Sequence, residues 1–248
     1  MSWLATLFMG FVLGLLGGGG GILTVPILVG FFGLSATEAT GSSLLVVGLT
    51  STIGAAQGIL KKQSEVRPAI LLAIPSMIGA LLSRKFVVPA IPSHIFGLTK
   101  DQVLLGAFSV LMIVVGIRML LKKKEEVEPR HNPALVVTYG LLIGILSGTL
   151  GAGGGVLILP VLTLLLGVEM AKAVPTSLLV ICIQSLGGFL GEVGKPIPWS
   201  LLLSIAGIAL LGMILGLLLR ERAPRKTLQL AFSYMVFAVA ILMIAKIF

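Results

Sequence analysis

Few side chains in this sequence can do chemistry, and the most telling positions have no side chain at all. Gly19, Gly20 and Gly21 interrupt one long apolar run, and Gly153, Gly154 and Gly155 interrupt another. Three glycines in a row form no single helix face, and each costs about 1 kcal/mol relative to alanine in a helix interior. Each run is therefore expected to unwind at its trio into two half-helices. The half that restarts near Ile22 or Val156 presents unpaired N–H groups and the positive end of its dipole, which suits an anion. Polar residues of the following runs can complete the shell: Ser42, Ser43, Thr176 and Ser177, with Gln57, Gln184, Thr50, Ser51 and Ser185 further along. A hydroxyl inside an apolar helix also commonly bonds its own preceding turn. For the glutamines, contact with a substrate and contact with another helix stay equally open. No lysine or arginine is placed in the middle of a run, so neutral donors are expected to meet the anion's charge.

These residues come in pairs because the chain holds two copies of one unit. The stretch from Gly10 to Pro26, GFVLGLLGGGGGILTVP, returns 134 residues later, from Gly144 to Pro160, as GILSGTLGAGGGVLILP. Both read G-x-x-x-G-x-x-G-x-G-G-G-x-x-x-x-P. The same offset carries Gly33 onto Gly167, Ala39 onto Ala173, and Ser43-Leu44-Leu45-Val46 onto Ser177-Leu178-Leu179-Val180. Repetition on this scale sets the architecture. Gly10, Gly14, Gly144 and Gly148 form small-xxx-small faces and are assigned to close helix packing. The two glycine breaks are expected to meet at one central site, near the same membrane depth.

The chain has 248 residues, 57% hydrophobic and 11% charged, with a mean hydropathy of +1.14. Soluble domains are about a quarter charged, so the composition is that of an integral membrane protein. The net charge of +9 comes from basic residues between the apolar runs. There they set orientation and meet anionic lipid rather than nucleic acid. Cys182 is the one cysteine, which excludes an intrachain disulfide and leaves it a packing role. Met1-Ser2-Trp3 lacks the positive start of a cleaved signal, so the first segment is expected to be retained. His94 and His131 have no partner at ligand spacing, and no metal or cofactor is expected. Glu38, Glu169 and Glu192 sit near run ends and are assigned to the interface, with proton coupling as the lesser reading. No nucleophile motif or phosphate-binding loop occurs, so the chain is not read as an enzyme, and transport must be secondary, channel-like or powered by another subunit.

The fold class expected is all-α integral membrane, with two four-segment repeats, residues 1–121 and 134–248, joined by a charged linker, 122–133. The first repeat takes segments 3–34 (broken at 17–21), 36–60, 68–83 and 102–121. Arg84 and Lys85 close its third segment, and an apolar loop occupies 86–98. The second takes 134–168 (broken at 151–155), 170–191, 198–219 and 227–247. If every segment crosses, the loop holding Arg220, Arg222, Arg225 and Lys226 faces outward, against the positive-inside tendency. If the broken segments enter and return, that loop and the one holding Lys61, Lys62 and Arg67 face the cytoplasm, while Arg84, Lys85 and Lys100 stay outside. Three crossings and one hairpin per half then invert the repeats. The charge bias favours this second scheme, which repeat-built transporters use often.

At the repeated glycine motif the sequence resembles the sulfite exporter TauE/SafE family of membrane transporters, over essentially its whole length. The resemblance assigns the first motif to Gly17, Gly19, Gly20, Gly21 and Pro26, and the second to Gly151, Gly153, Gly154, Gly155 and Pro160. Gly18, where the second copy has Ala152, is a departure that loosens the first break. Members are associated with export of sulfite, sulfoacetate or related sulfur compounds, and the motif itself does not select a substrate. The resemblance implies a secondary transporter exporting a small anion, sulfite or an organosulfonate, as a multi-pass protein of the inner (plasma) membrane. Its partners would be that anion and the lipid bilayer, with room for a homo-oligomer. The alternatives are proton-coupled uptake of a sulfur compound or other anion, involving Glu38 or Glu192, and a non-transporting scaffold subunit.

Overall fold

The computed structural model describes residues 1–95, 97–120, 133–151, 153–195, 197–220, 234 and 237–245. The linker 122–132 with His131, the basic residues Arg222, Arg225 and Lys226, and most of the eighth segment lie outside the described residues. Helix α1 spans Ser2–Leu16 and passes through a 3₁₀ stretch, Gly17–Leu23, into α2, Thr24–Phe31. Helices α3 (Ala36–Leu60) and α4 (Val66–Leu82) come next, and α4 continues through one π-type turn, Ser83–Val87, into α5, Val88–Ala90. A two-residue antiparallel hairpin, β1 (His94–Ile95) against β2 (Leu98–Thr99), leads to α6, Lys100–Leu120. The second half gives α7 (Pro133–Leu150), α8 (Gly155–Leu164), α9 (Met170–Phe189) and α10 (Trp199–Arg220). Residues 237–245 are also helical.

Among the described residues, four helical spans are long and apolar enough to cross a membrane: Ala36–Leu60, Val66–Ala90, Lys172–Glu192 and Trp199–Arg220. Large apolar side chains stand exposed along them, Ile70, Ile74 and Ile78 on α4 and Leu203, Leu211 and Leu218 on α10. Such a belt is stable only against lipid. Helix α3 begins where its chemistry says it must. The Ser35 hydroxyl accepts from the Glu38 N–H at 3.3 Å, and Glu38 Oε2 accepts from the Ser35 N–H at 3.0 Å, a reciprocal cap.

Packing interleaves the two copies. Gly10 and Gly14 of α1 press onto the backbone of Ala209 and Met213 in α10, and Gly144 and Gly148 of α7 press onto Ser76 and Ala80 in α4. In both places a methyl group would strike backbone, so these glycines set the helix approach as their spacing implies. Helices α3 and α9, which occupy equivalent places in the repeat, run antiparallel. Gly41 faces Glu192, Gly48 faces Leu186, Gly54 faces Leu178 and Gly58 faces Pro175. Opposed equivalents are the arrangement that inverted repeats require.

The same contacts fix the path of the broken segments. Trp3, at the start of α1, stacks edge-on against Phe32, just before α3, with ring centroids 5.4 Å apart. At the other end of α1, Gly17 rests on Val174, beside the end of α3. Helix α1 thus runs alongside α3 in the same direction, and the chain returns through the 3₁₀ stretch and α2 before α3 begins. Within the protein, segment one therefore runs out and back beside α3. The second broken segment does the reverse, its tip at Gly151 resting on Thr40 and Ser43 near the start of α3.

Three expectations need correction. The first glycine run does not stay open: the helix breaks at Gly17, at φ 70° and ψ −129°, and the glycines after it rewind as the 3₁₀ stretch that ends at Leu23. Nor do Arg84 and Lys85 close a segment. The helix continues to Ala90, and Arg84 is fully buried at 3.3 Å from Glu192. A carboxylate from the other repeat lets a guanidinium stay inside where it would otherwise snorkel. Glu192 is correspondingly buried, not interfacial.

Candidate anion site

The second break has the geometry expected of an anion-facing half-helix. Gly154 is the N-cap of α8 at φ 66°, ψ −8°, and Gly151 and Gly153 are also left-handed, at φ 69° and 64°. This conformation favours glycine. The Gly154 carbonyl accepts from the Leu157 and Ile158 N–H groups, each at 2.9 Å, which starts the ten-residue helix. The N–H groups of Gly155 and Val156, which precede these, have no intrahelical acceptor.

Gln184 of α9 lies against this N-cap. A methyl group at Gly154 would sit 2.8 Å from its Nε2 and 3.2 Å from its Oε1. Gln184 is fully buried, and neither amide atom has a hydrogen-bond partner among the described residues. An unpaired buried polar group costs about 1–3 kcal/mol. The arrangement therefore calls for a ligand or water beside the amide. Val47 and Ile181 face Gly153 and wall the same place with apolar groups.

The first copy differs. Gly19, Gly20 and Gly21 belong to the 3₁₀ stretch, and the residue preceding α2, Leu23, is itself helical, so α2 has no open start comparable to that of α8. The 3₁₀ stretch packs against α8 and α9. The helical turn that leads into α2 starts instead at the Gly17 break.

The hydroxyls divide between two levels. Ser43 Oγ donates to the Gly151 carbonyl at 2.7 Å and shares its proton with the Thr40 carbonyl at 2.8 Å. Ser42 is buried beside it. Ser177 donates to the Val174 carbonyl at 2.7 Å and lies under Gly17, while Thr176 accepts from the Glu65 N–H at 2.9 Å. The level of Ser177 on α3 is about thirteen residues from Ser43, or about 20 Å at 1.5 Å per residue. These four residues do not share one site. Gln57 is half-buried toward the end of α3, away from Gln184.

Two further hydroxyls stand out, Ser51 and Ser185, equivalent under the 134-residue offset. Both are fully buried without a hydrogen-bond partner among the described residues, although Thr50 beside Ser51 bonds back to the carbonyls of Val46 and Val47. The repeat pairs them in the sequence as plainly as it pairs Ser43 with Ser177. Their unpaired state is visible only in the packed structure.

Comparison with known proteins places these features in context. A family model described as sulfite exporter TauE/SafE matches residues 2–243. A probable membrane transporter protein of Xylella fastidiosa (strain Temecula1) is 30% identical over 246 residues, covering 95% of this chain and 91% of the relative. A probable membrane transporter protein of Methanocaldococcus jannaschii is 30% identical over 197 residues, covering 74% and 70%. One of Bacillus subtilis is 25% identical over 237 residues, covering 92% and 93%. No solved structure matches the chain.

Proposed function

From the premise that the chain belongs to the sulfite exporter TauE/SafE family and is a membrane transporter, we propose that it exports a small oxyanion, sulfite or an organosulfonate. Gly153, Gly154, Gly155 and Gln184 would hold that anion midway through the protein. The observation that carries this reading is the unpartnered, fully buried Gln184 amide against the open N-terminus of α8. Helix N–H groups and an amide Nε2 are donors without net charge, suited to an anion that must be released as readily as it is bound. Ser43 takes a different part, tying the Gly151 tip to α3, while Ser177 lies beneath the Gly17 tip at the other end.

Energetics suits export without a coupled ion. Moving one negative charge outward across an inside-negative membrane gains about 2.3 kcal/mol per 100 mV, enough for a roughly fifty-fold gradient. With the α3–α4 loop and its Lys61, Lys62 and Arg67 in the cytoplasm, the tip at Gly17 lies at the inner side and the tip at Gly151 at the outer side. The protein would then be a multi-pass component of the inner (plasma) membrane.

The test is a thermal-shift and calorimetric screen of sulfite, sulfoacetate and sulfate on detergent-purified protein. The reading expects a sulfur oxyanion to bind with a dissociation constant on the order of 10 μM to 1 mM. Binding should be lost in Gln184→Met. Absence of binding to every anion would favour the scaffold alternative.

A further inference from the structure

Arg84 is the largest fully buried side chain among the described residues, and its charge has no part in the site at Gln184. It stands in the π-type turn Ser83–Val87, an irregularity that helices often carry at functional sites. Its Nη1 is 3.3 Å from Glu192 Oε1, yet none of its three nitrogens makes a hydrogen bond among the described residues. Glu192 is shared, since its Oε2 also lies 3.0 Å from Lys195 Nζ, and the Lys195 side chain is 43% exposed. The trio carries a net charge of +1, and the buried guanidinium has donors to spare.

The surroundings hold this cluster against the second hairpin tip. Glu192 is seated over Gly41, where a methyl group would come within 2.8 Å of its carboxyl carbon, and a methyl group at Gly191 would come within 2.6 Å of the Arg84 Cβ. Ser83 is hydrogen-bonded to Thr149 at 2.6 Å, two residues before the tip glycine Gly151. Helices α4 and α9 run parallel here, with Gly187 on Met77, Gly188 on Ala80 and Gly191 on Arg84. Arg84 is therefore level with Gly191, about seven residues or about 10 Å along α9 from Gln184. A buried arginine short of acceptors, one short step from the central site, can take the anion that leaves it.

We propose that Arg84 is a second oxyanion-binding station at the outer end of the path, and that Glu192 is its tethered competitor. The inference rests on the oxyanion reading of the Gln184 site. In this conformation the Glu192 carboxylate occupies the guanidinium and the station is closed. Swinging toward the exposed Lys195 frees Arg84 for an oxyanion, which can accept two parallel N–H bonds as a carboxylate does. When the carboxylate returns, it expels the anion outward. An arginine without such a competitor would hold an anion too tightly to turn over.

The experiment is calorimetric titration of sulfite into detergent-purified wild type, Glu192→Gln and the double variant Arg84→Gln/Glu192→Gln, at one pH and ionic strength. Removing the competitor should tighten sulfite binding by about tenfold in Glu192→Gln, and the double variant should lose that gain. An anion-free thermal melt run alongside should show Glu192→Gln destabilised, and sulfite should restore its midpoint more than it raises that of wild type. Should Glu192→Gln not fold, Glu192→Asp, which keeps the charge but shortens its reach, should show a smaller tightening in the same direction. Unchanged or weaker binding in the folded Glu192 variant overturns the station while leaving the central site standing. Sulfite binding absent from wild type as well removes both.

Discussion

Ser43 and Gly151, 108 positions apart and in different repeats, are joined by a 2.7 Å hydrogen bond from the serine hydroxyl to the glycine carbonyl. The repeat-equivalent pair, Ser177 and Gly17, lies at the other end of the α3–α9 pair, where a methyl group on Gly17 would sit 3.6 Å from the serine oxygen. Each glycine hairpin is thus seated on the helix that succeeds the other hairpin. The two halves of the protein pack on each other at both ends of the α3–α9 pair.

This relationship assigns Ser43 a structural role. Its one proton is already shared by two carbonyls, so none is left for an anion. Ser43→Ala should lower stability by about 1–2 kcal/mol through the unpaired Gly151 carbonyl, while sulfite affinity changes less than about threefold. Thermal melts and titration of the same preparation check both halves of that statement.

Gly154 and Gly10 should fail in different ways. Alanine at Gly154 must adopt a left-handed backbone and displaces the Gln184 amide, so Gly154→Ala should abolish binding, with a stability loss of about 1–3 kcal/mol. Leucine at Gly10 would meet the Ala209 carbonyl of α10 across a close helix contact. Gly10→Leu should prevent folding, seen as loss of monodisperse protein in size-exclusion chromatography.

Topology can be read from single cysteines in a Cys182→Ser background. Gln63→Cys, in the α3–α4 loop, should react with an impermeant thiol reagent only from the cytoplasmic side. Val193→Cys, beyond α9, should react only from outside. Labelling of both from one side would contradict the hairpin path and the inversion it produces.

Much of this architecture is legible in the sequence, and the reasons are local. Helix α3 is expected at 36–60 and found at Ala36–Leu60, because the Ser35–Glu38 cap sets its start and a polar loop sets its end. The small-xxx-small glycines are legible because their function is to be absent side chains. The 3₁₀ course of Gly17–Leu23 is not, since glycine accepts either an open or a wound backbone and only packing against α8 and α9 decides. Arg84 misleads for a related reason. A basic pair after an apolar run ordinarily marks a helix end, and its burial depends on a carboxylate in the other repeat. Gln184 is identifiable as a buried polar residue, but its lack of a partner belongs to three-dimensional packing.

The central claim is that a small oxyanion crosses this protein through the donors at Gln184 and the start of α8. Sulfite efflux from proteoliposomes under a set membrane potential, comparing wild type with Gln184→Met, tests it most directly. Methionine matches the volume of glutamine and removes two unsatisfied buried atoms, so the variant should be at least as stable as wild type. The account predicts potential-driven efflux through wild type and a loss of at least about tenfold in the variant, with an unchanged or raised melting temperature. Equal efflux through both proteins, or no efflux above protein-free vesicles, would contradict it.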